Sequence, residues 1–202
     1  MRPTNVTIDQ LPWMASIGVY DRRGVWRHQC GGSLITNYYV LTAAHCLDNV
    51  GQQLRMRLGN ENLDTRTENE VERLVAEYFQ HPDFRSGQVI LIFHPLIFFE
   101  PKNCQIIKCL VLSLDATMID KLCMTILSTR NLLLKVYADV GLVRADRRVE
   151  FSDHVLPICL PFRPIDDIDA LENDFVNLAG WGVNPQGEIT NQVQYTQLTG
   201  IS

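Results

Sequence analysis

Lysine is almost missing from this 202-residue chain: only Lys102, Lys108, Lys121 and Lys135 occur, against 14 arginines. A positive surplus is missing too. Eighteen basic and 23 acidic side chains leave a net charge of −5. Nothing pulls such a chain generally towards phosphate backbones or anionic lipid, so neither nucleic acid nor a membrane is an expected partner. Long apolar runs are absent. The most apolar uncharged one, residues 86–99, is too short to span a bilayer and contains His94 and Pro95. The first twenty residues lack an apolar core, so this stretch is expected to carry no secretion signal of its own. Disorder is excluded by 46% hydrophobic and 20% charged residues. What is left is one ordinary domain or two very small ones, with six cysteines that are suggestive but not dense.

Composition is uneven along the chain. All four lysines fall within residues 89–135, which contain no glycine, no tryptophan and one arginine, Arg130, but ten leucines and seven isoleucines. Elsewhere short apolar or alternating runs are punctuated by Gly, Pro, Asn and Asp, as in Leu54-Arg55-Met56-Arg57-Leu58 before Gly59. Many short strands with closely spaced turns predict an all-β sandwich or barrel. Residues 89–135 show neither that punctuation nor a clean period, and read as an insertion foreign to the domain. Their bias towards AT-rich codons, with Gln88-Val89 and Lys135 compatible with splice sites, fits a retained in-frame intron. A lineage-specific loop expansion is the alternative.

Residues 30–46 read CGGSLITNYYVLTAAHC. A hairpin across this string could bring Cys30 and Cys46 within disulfide reach beside His45. The string resembles the histidine motif of the chymotrypsin/trypsin-like serine proteases. The resemblance continues through Pro12-Trp13-Met14-Ala15, Arg57-Leu58-Gly59, His81-Pro82-Asp83-Phe84, Pro157-Ile158-Cys159-Leu160-Pro161 and Ala179-Gly180-Trp181-Gly182. In wording it is most similar to arthropod proteases of haemolymph cascades and venoms. The resemblance implies two antiparallel β-barrels with a cleft between them, His45 as general base, and proteins, peptides and protease inhibitors as partners. It also implies a secreted parent and no cofactor or bound metal. It covers a partial domain over residues 11–202, with residues 1–10 outside it; the first barrel is expected complete and the second only in its opening strands.

The family's orienting carboxylate lies in an Asp-Ile-Ala-Leu run, matched here by Asp139-Val140-Gly141-Leu142. The resemblance therefore makes Asp139 the partner of His45. These two are 94 residues apart, about twice the family's separation, and removing residues 89–135 restores a normal spacing. The nucleophile is not found. The family's Gly-Asp-Ser-Gly-Gly string does not occur, and the serines present are Ser16, Ser33, Ser86, Ser113, Ser128, Ser152 and Ser202. No Ile-Val-Gly-Gly start occurs either, so both ends read as truncations of a longer parent.

Other residues draw shorter readings. Cys159 matches a cysteine that tethers a pro-segment in related proteases, and is expected to be a free or mispaired thiol. Cys104, Cys109 and Cys123 lack metal-ligand spacing. Asn5-Val6-Thr7 is an N-glycosylation sequon. Glu61, Glu68 and Glu70 lie where some relatives bind calcium, but Asn60 replaces one of their glutamates. His81 and His94 read as loop residues, and His28 as part of a surface strand. Three functions compete: a serine endopeptidase whose chemistry is completed by a full-length parent, a non-catalytic homologue that acts as a cascade cofactor, and an unrelated all-β binding module. Whether the codons beyond Ser202 encode Gly-Asp-Ser-Gly-Gly separates the first two.

Overall fold

Runs of β-branched and other apolar residues between turn residues form strands because a pleated surface accommodates their side chains while pairing every backbone group. The computed structural model describes residues 4–48, 50–85, 96–98, 139–160, 175–183 and 189–199. In chain order its strands are β1 (Thr4–Asn5), β2 (Met14–Tyr20), β3 (Trp26–Leu34), β4 (Tyr39–Thr42), β5 (Arg55–Leu58) and β6 (Val71–Gln80). They are followed by β7 (Leu96–Phe98), β8 (Gly141–Ala145), β9 (Phe175–Val183) and β10 (Ile189–Thr199). Six of them close a barrel in the order β2-β3-β4-β8-β6-β5, and the other four form a sheet in the order β1-β10-β9-β7. The protein is all-β, as expected, with antiparallel pairing throughout the described ladders. Among the described residues no helix is long and apolar enough to cross a membrane.

Ile17, Leu34, Val40, Met56, Leu58 and Val143 fill the barrel. Each is almost fully buried, which stabilises the fold by roughly 1.5–3 kcal/mol per side chain. β2 is buried on both faces. Ala15, Ile17 and Val19 point into the barrel, while Met14 joins Ile8, Leu11, Ala179 and Val193 in a second cluster against the sheet. That double burial explains why Met14–Tyr20 reads as an unbroken weakly polar run rather than an alternating one.

Two of the expected segments meet the structure as follows. Residues 4–10 pack against the rest of the chain: Thr4 and Asn5 pair with Tyr195 and Gln194 of β10. Behind them a 3₁₀ turn, Ile8–Gln10, buries Ile8, and Asp9 bonds His154. The apolar pair Ile8 and Leu11 is what draws this segment in, since either would otherwise face water. The insertion 89–135 lies outside the described residues except for β7, which pairs with β9 at Asn177, Leu178 and Ala179.

Candidate active site

β4 runs through Ala43 into a 3₁₀ turn, Ala44–Leu47, that carries His45 and Cys46. Ala44 and Leu47 are buried and anchor the turn, and Gln80 Nε2 donates to the Ala44 carbonyl at 2.9 Å. Cys46 is bonded to Cys30 of β3, which ties the turn to the barrel wall. From the other side, Gly141 at the start of β8 lies so close that a Cβ would sit 2.6 Å from Leu47 Cδ1 and 3.2 Å from the Ala43 carbonyl oxygen. A glycine here lets β8 press against the turn.

That approach delivers Asp139, two residues before β8. Its Oδ1 accepts from the His45 backbone N–H at 2.8 Å, and its Oδ2 lies 2.7 Å from His45 Nδ1. The carboxylate is 14% exposed and the imidazole 40%, so a held anion faces a ring that remains open to an approaching molecule. With Asp139 ionised, Nδ1 is the donor, and the neutral ring keeps a lone pair on Nε2. Such a ring accepts a proton at Nε2 while the carboxylate steadies the resulting imidazolium.

Three side chains at this turn suggest a metal centre, since ligand atoms of Cys30 of β3, His45 and Cys46 lie within 4.8 Å of one another. The two sulfurs are bonded to each other, so no thiolate is available and His45 alone does not form such a centre.

The remaining sequence candidates are scattered. Ser33 is fully buried in β3, its Oγ without a partner among the described residues. Ser86 and Ser202 lie outside the described residues, as do Cys104, Cys109, Cys123 and His94. Asn5 is exposed on β1, with Oδ1 3.5 Å from Gln194 Nε2. His81 does sit in a loop, where its Nδ1 accepts from the Asp83 N–H at 3.0 Å. Cys159 is disulfide-bonded, which corrects the free thiol. His28 lies half-buried on β3 between exposed Arg27 and Gln29: its Nδ1 bonds Ser16 Oγ at 2.7 Å and its ring meets Trp181 of β9 edge-on at 5.5 Å. Ser16 Oγ also accepts from Trp26 Nε1 at 3.1 Å. Burial pulls the His28 imidazole down from its ordinary 6.5 to about 4. Nothing in Trp26-Arg27-His28-Gln29 announces this, because the covering tryptophan comes from a strand about 150 residues later.

A closed antiparallel barrel that sets a histidine and a carboxylate beside a disulfide defines the barrel of a trypsin-like serine protease. Residues 3–92 match the trypsin family model, and the chain is similar to trypsin-like serine proteases. It is similar to phenoloxidase-activating factor 1 of Holotrichia diomphalia, 26% identical over 89% of this chain and 40% of that protein. It is also similar to CLIP domain-containing serine protease HP8 of Bombyx mori, 32% identical over 87% of this chain and 38% of that protein. A shorter match to chymotrypsin-C of Bos taurus is 49% identical over 28% of this chain and 20% of that protein. The chain thus spans about two fifths of the length of the insect relatives. Among solved structures, that of GrC superposes with a TM-score of 0.62 at 23% identity, covering 98% of this chain and 63% of that one. This likeness shows the shared fold.

Proposed function

We propose that His45 and Asp139 are the general base and its orienting carboxylate in serine-type peptide hydrolysis outside the cell. The observation that carries this reading is the double hold of Asp139 on the backbone and ring of His45. As a serine Oγ attacks a substrate carbonyl carbon, Nε2 takes the hydroxyl proton and then gives it to the departing amine. Water repeats the sequence to release the acyl group. Residues 1–202 contain no Gly-Asp-Ser-Gly-Gly string, so these residues alone supply the base and not the nucleophile. Protein substrates and protein inhibitors are the partners that the family relationship supports. Residues 89–135 are read as an insertion ahead of Asp139, and sequencing the transcript across them tests that reading.

A fluorophosphonate probe tests the chemistry. The 202-residue chain should remain unlabelled, whereas the full-length product of the gene should be labelled on one serine. His45→Ala should abolish that labelling and lower turnover by several orders of magnitude. Labelling of Ser33 in the short chain, or labelling that survives His45→Ala, would overturn the proposal. A full-length product with the serine replaced would instead establish the non-catalytic homologue.

A further inference from the structure

The loop at residues 59–70 holds the three glutamates whose position suggests calcium, yet its interior is filled by Arg57 of β5. The Arg57 and Glu70 side chains are each only 4% exposed. The guanidinium donates through Nε to Glu70 Oε1 at 2.9 Å and through Nη2 to Glu70 Oε2 at 2.5 Å. It also donates to the Leu63 carbonyl at 3.2 Å and the Thr65 carbonyl at 2.9 Å, with its flat face over the Trp26 ring at 5.3 Å. Asn60 Nδ2 donates to the same Thr65 carbonyl at 2.7 Å and to Glu70 Oε2 at 2.9 Å.

Calcium asks for six to eight oxygens at about 2.3–2.6 Å. Both Glu70 oxygens and the two loop carbonyls here already receive N–H donors. Glu61 Oε2 accepts the Ile8 N–H at 3.3 Å, and Glu68 is exposed. A divalent ion would have to share this enclosed space with a permanent positive charge or expel it, and either cost is high in a medium that screens poorly. The donor set does not fit calcium.

The loop is also the joint between barrel and sheet. The Glu61 carbonyl accepts from Trp181 Nε1 and from the Val193 N–H, both at 2.8 Å. The Leu63 N–H donates to the Asn191 carbonyl at 2.8 Å, and Asn191 Nδ2 reaches Asp64 Oδ2 at 2.6 Å. Because Arg57 holds the carbonyls of Leu63 and Thr65 inward, the outward groups of residues 61–64 are presented to β10. We infer that Arg57 is the resident cation of this loop, that it replaces a dissolved divalent ion, and that it positions the joint between barrel and second sheet.

Amide hydrogen exchange at Leu63 and Val193 in the 202-residue chain tests this. Neither calcium nor a chelator should alter exchange in the wild type. Arg57→Met should speed exchange at both amides by roughly tenfold or more, while amides of β4 and β8 keep their protection. Millimolar guanidinium should slow it again, by refilling the vacated place. Saturable slowing of wild-type exchange by calcium would overturn the inference, as would unchanged exchange in Arg57→Met. Asn60→Ala, which loses two bonds to the same oxygens and spares the guanidinium, gives the local readout if Arg57→Met unfolds. In that variant calcium should still have no effect.

Discussion

Asp139 grips His45 at two points, with one carboxylate oxygen on the backbone N–H at 2.8 Å and the other on Nδ1 at 2.7 Å. Asp139→Asn keeps an oxygen for the backbone bond but turns an amide N–H₂ towards the ring, stabilising the tautomer with its proton on Nε2. On the proposed function, turnover of the full-length protein should fall by about 10⁴, the scale of this change in a Ser-His-Asp triad, while the unfolding midpoint stays in place. A loss of turnover below tenfold would show that a different carboxylate orients His45.

The disulfide from Cys30 to Cys46 closes a loop with a sequence separation of 16. Constraining a loop of that size in the unfolded chain is worth about 3 kcal/mol. The double variant Cys30→Ser/Cys46→Ser should lose about this much in a urea titration, and His45 should exchange its backbone amide faster. Equal midpoints for the two proteins would mean that the buried Ala44 and Leu47 hold the turn by themselves.

His28 gives the chain an acid sensitivity. Its folded value of about 4 lies below the ordinary 6.5, so between these pH values the unfolded chain binds a proton that the folded chain does not. Stability from this residue is fully present above about pH 6.5 and is lost as pH falls towards 4, by about 2–3 kcal/mol. The difference in unfolding free energy between wild type and His28→Gln, followed from pH 7 to pH 4, should change by this amount. A difference independent of pH would show that His28 titrates normally.

Gly59 has φ +77°, and a Cβ there would lie 2.4 Å from the Asn69 backbone oxygen. Gly59→Ala combines left-handed strain with a clash that no side-chain rotation relieves, and should cost about 1–3 kcal/mol. At Gly141 the shortest approach, 2.6 Å, is to the far end of the Leu47 side chain, which can turn aside. Gly141→Ala should therefore cost less than Gly59→Ala in the same denaturation assay, and the reverse order would refute this account.

The barrel was legible in the sequence because its strands are short, apolar and separated by turn residues, and because the string around His45 is distinctive. Asp139 was legible only through the family's spacing once residues 89–135 are set aside; no local property of Tyr-Ala-Asp points to it. The roles of His28 and Arg57 were not legible. Both sit in alternating stretches whose polar members ordinarily face water, and both are covered by groups outside their own strands, Trp181 of β9 for one and the loop to Glu70 for the other. Periodicity tells which residues share a face and says nothing about what later covers it. The packing of residues 4–10 escaped notice for the same reason, since Ile8 and Leu11 find their partners on β9 and β10.

The strand order of the barrel has a consequence for how the chain assembles. β8 is the wedge between β4 and β6, yet about sixty residues separate it from the end of β6. The first five barrel strands can pair as they emerge during synthesis, but the ring remains open until residues 141–145 arrive. Asp139 travels with them, so ring closure and the capture of His45 are one late event. By chain length alone, a connection from β6 to β8 that is 47 residues shorter would make that encounter more favourable by only about 1.4 kcal/mol, or roughly tenfold in closure probability. A long connection at this seam slows the last step of assembly without forbidding it.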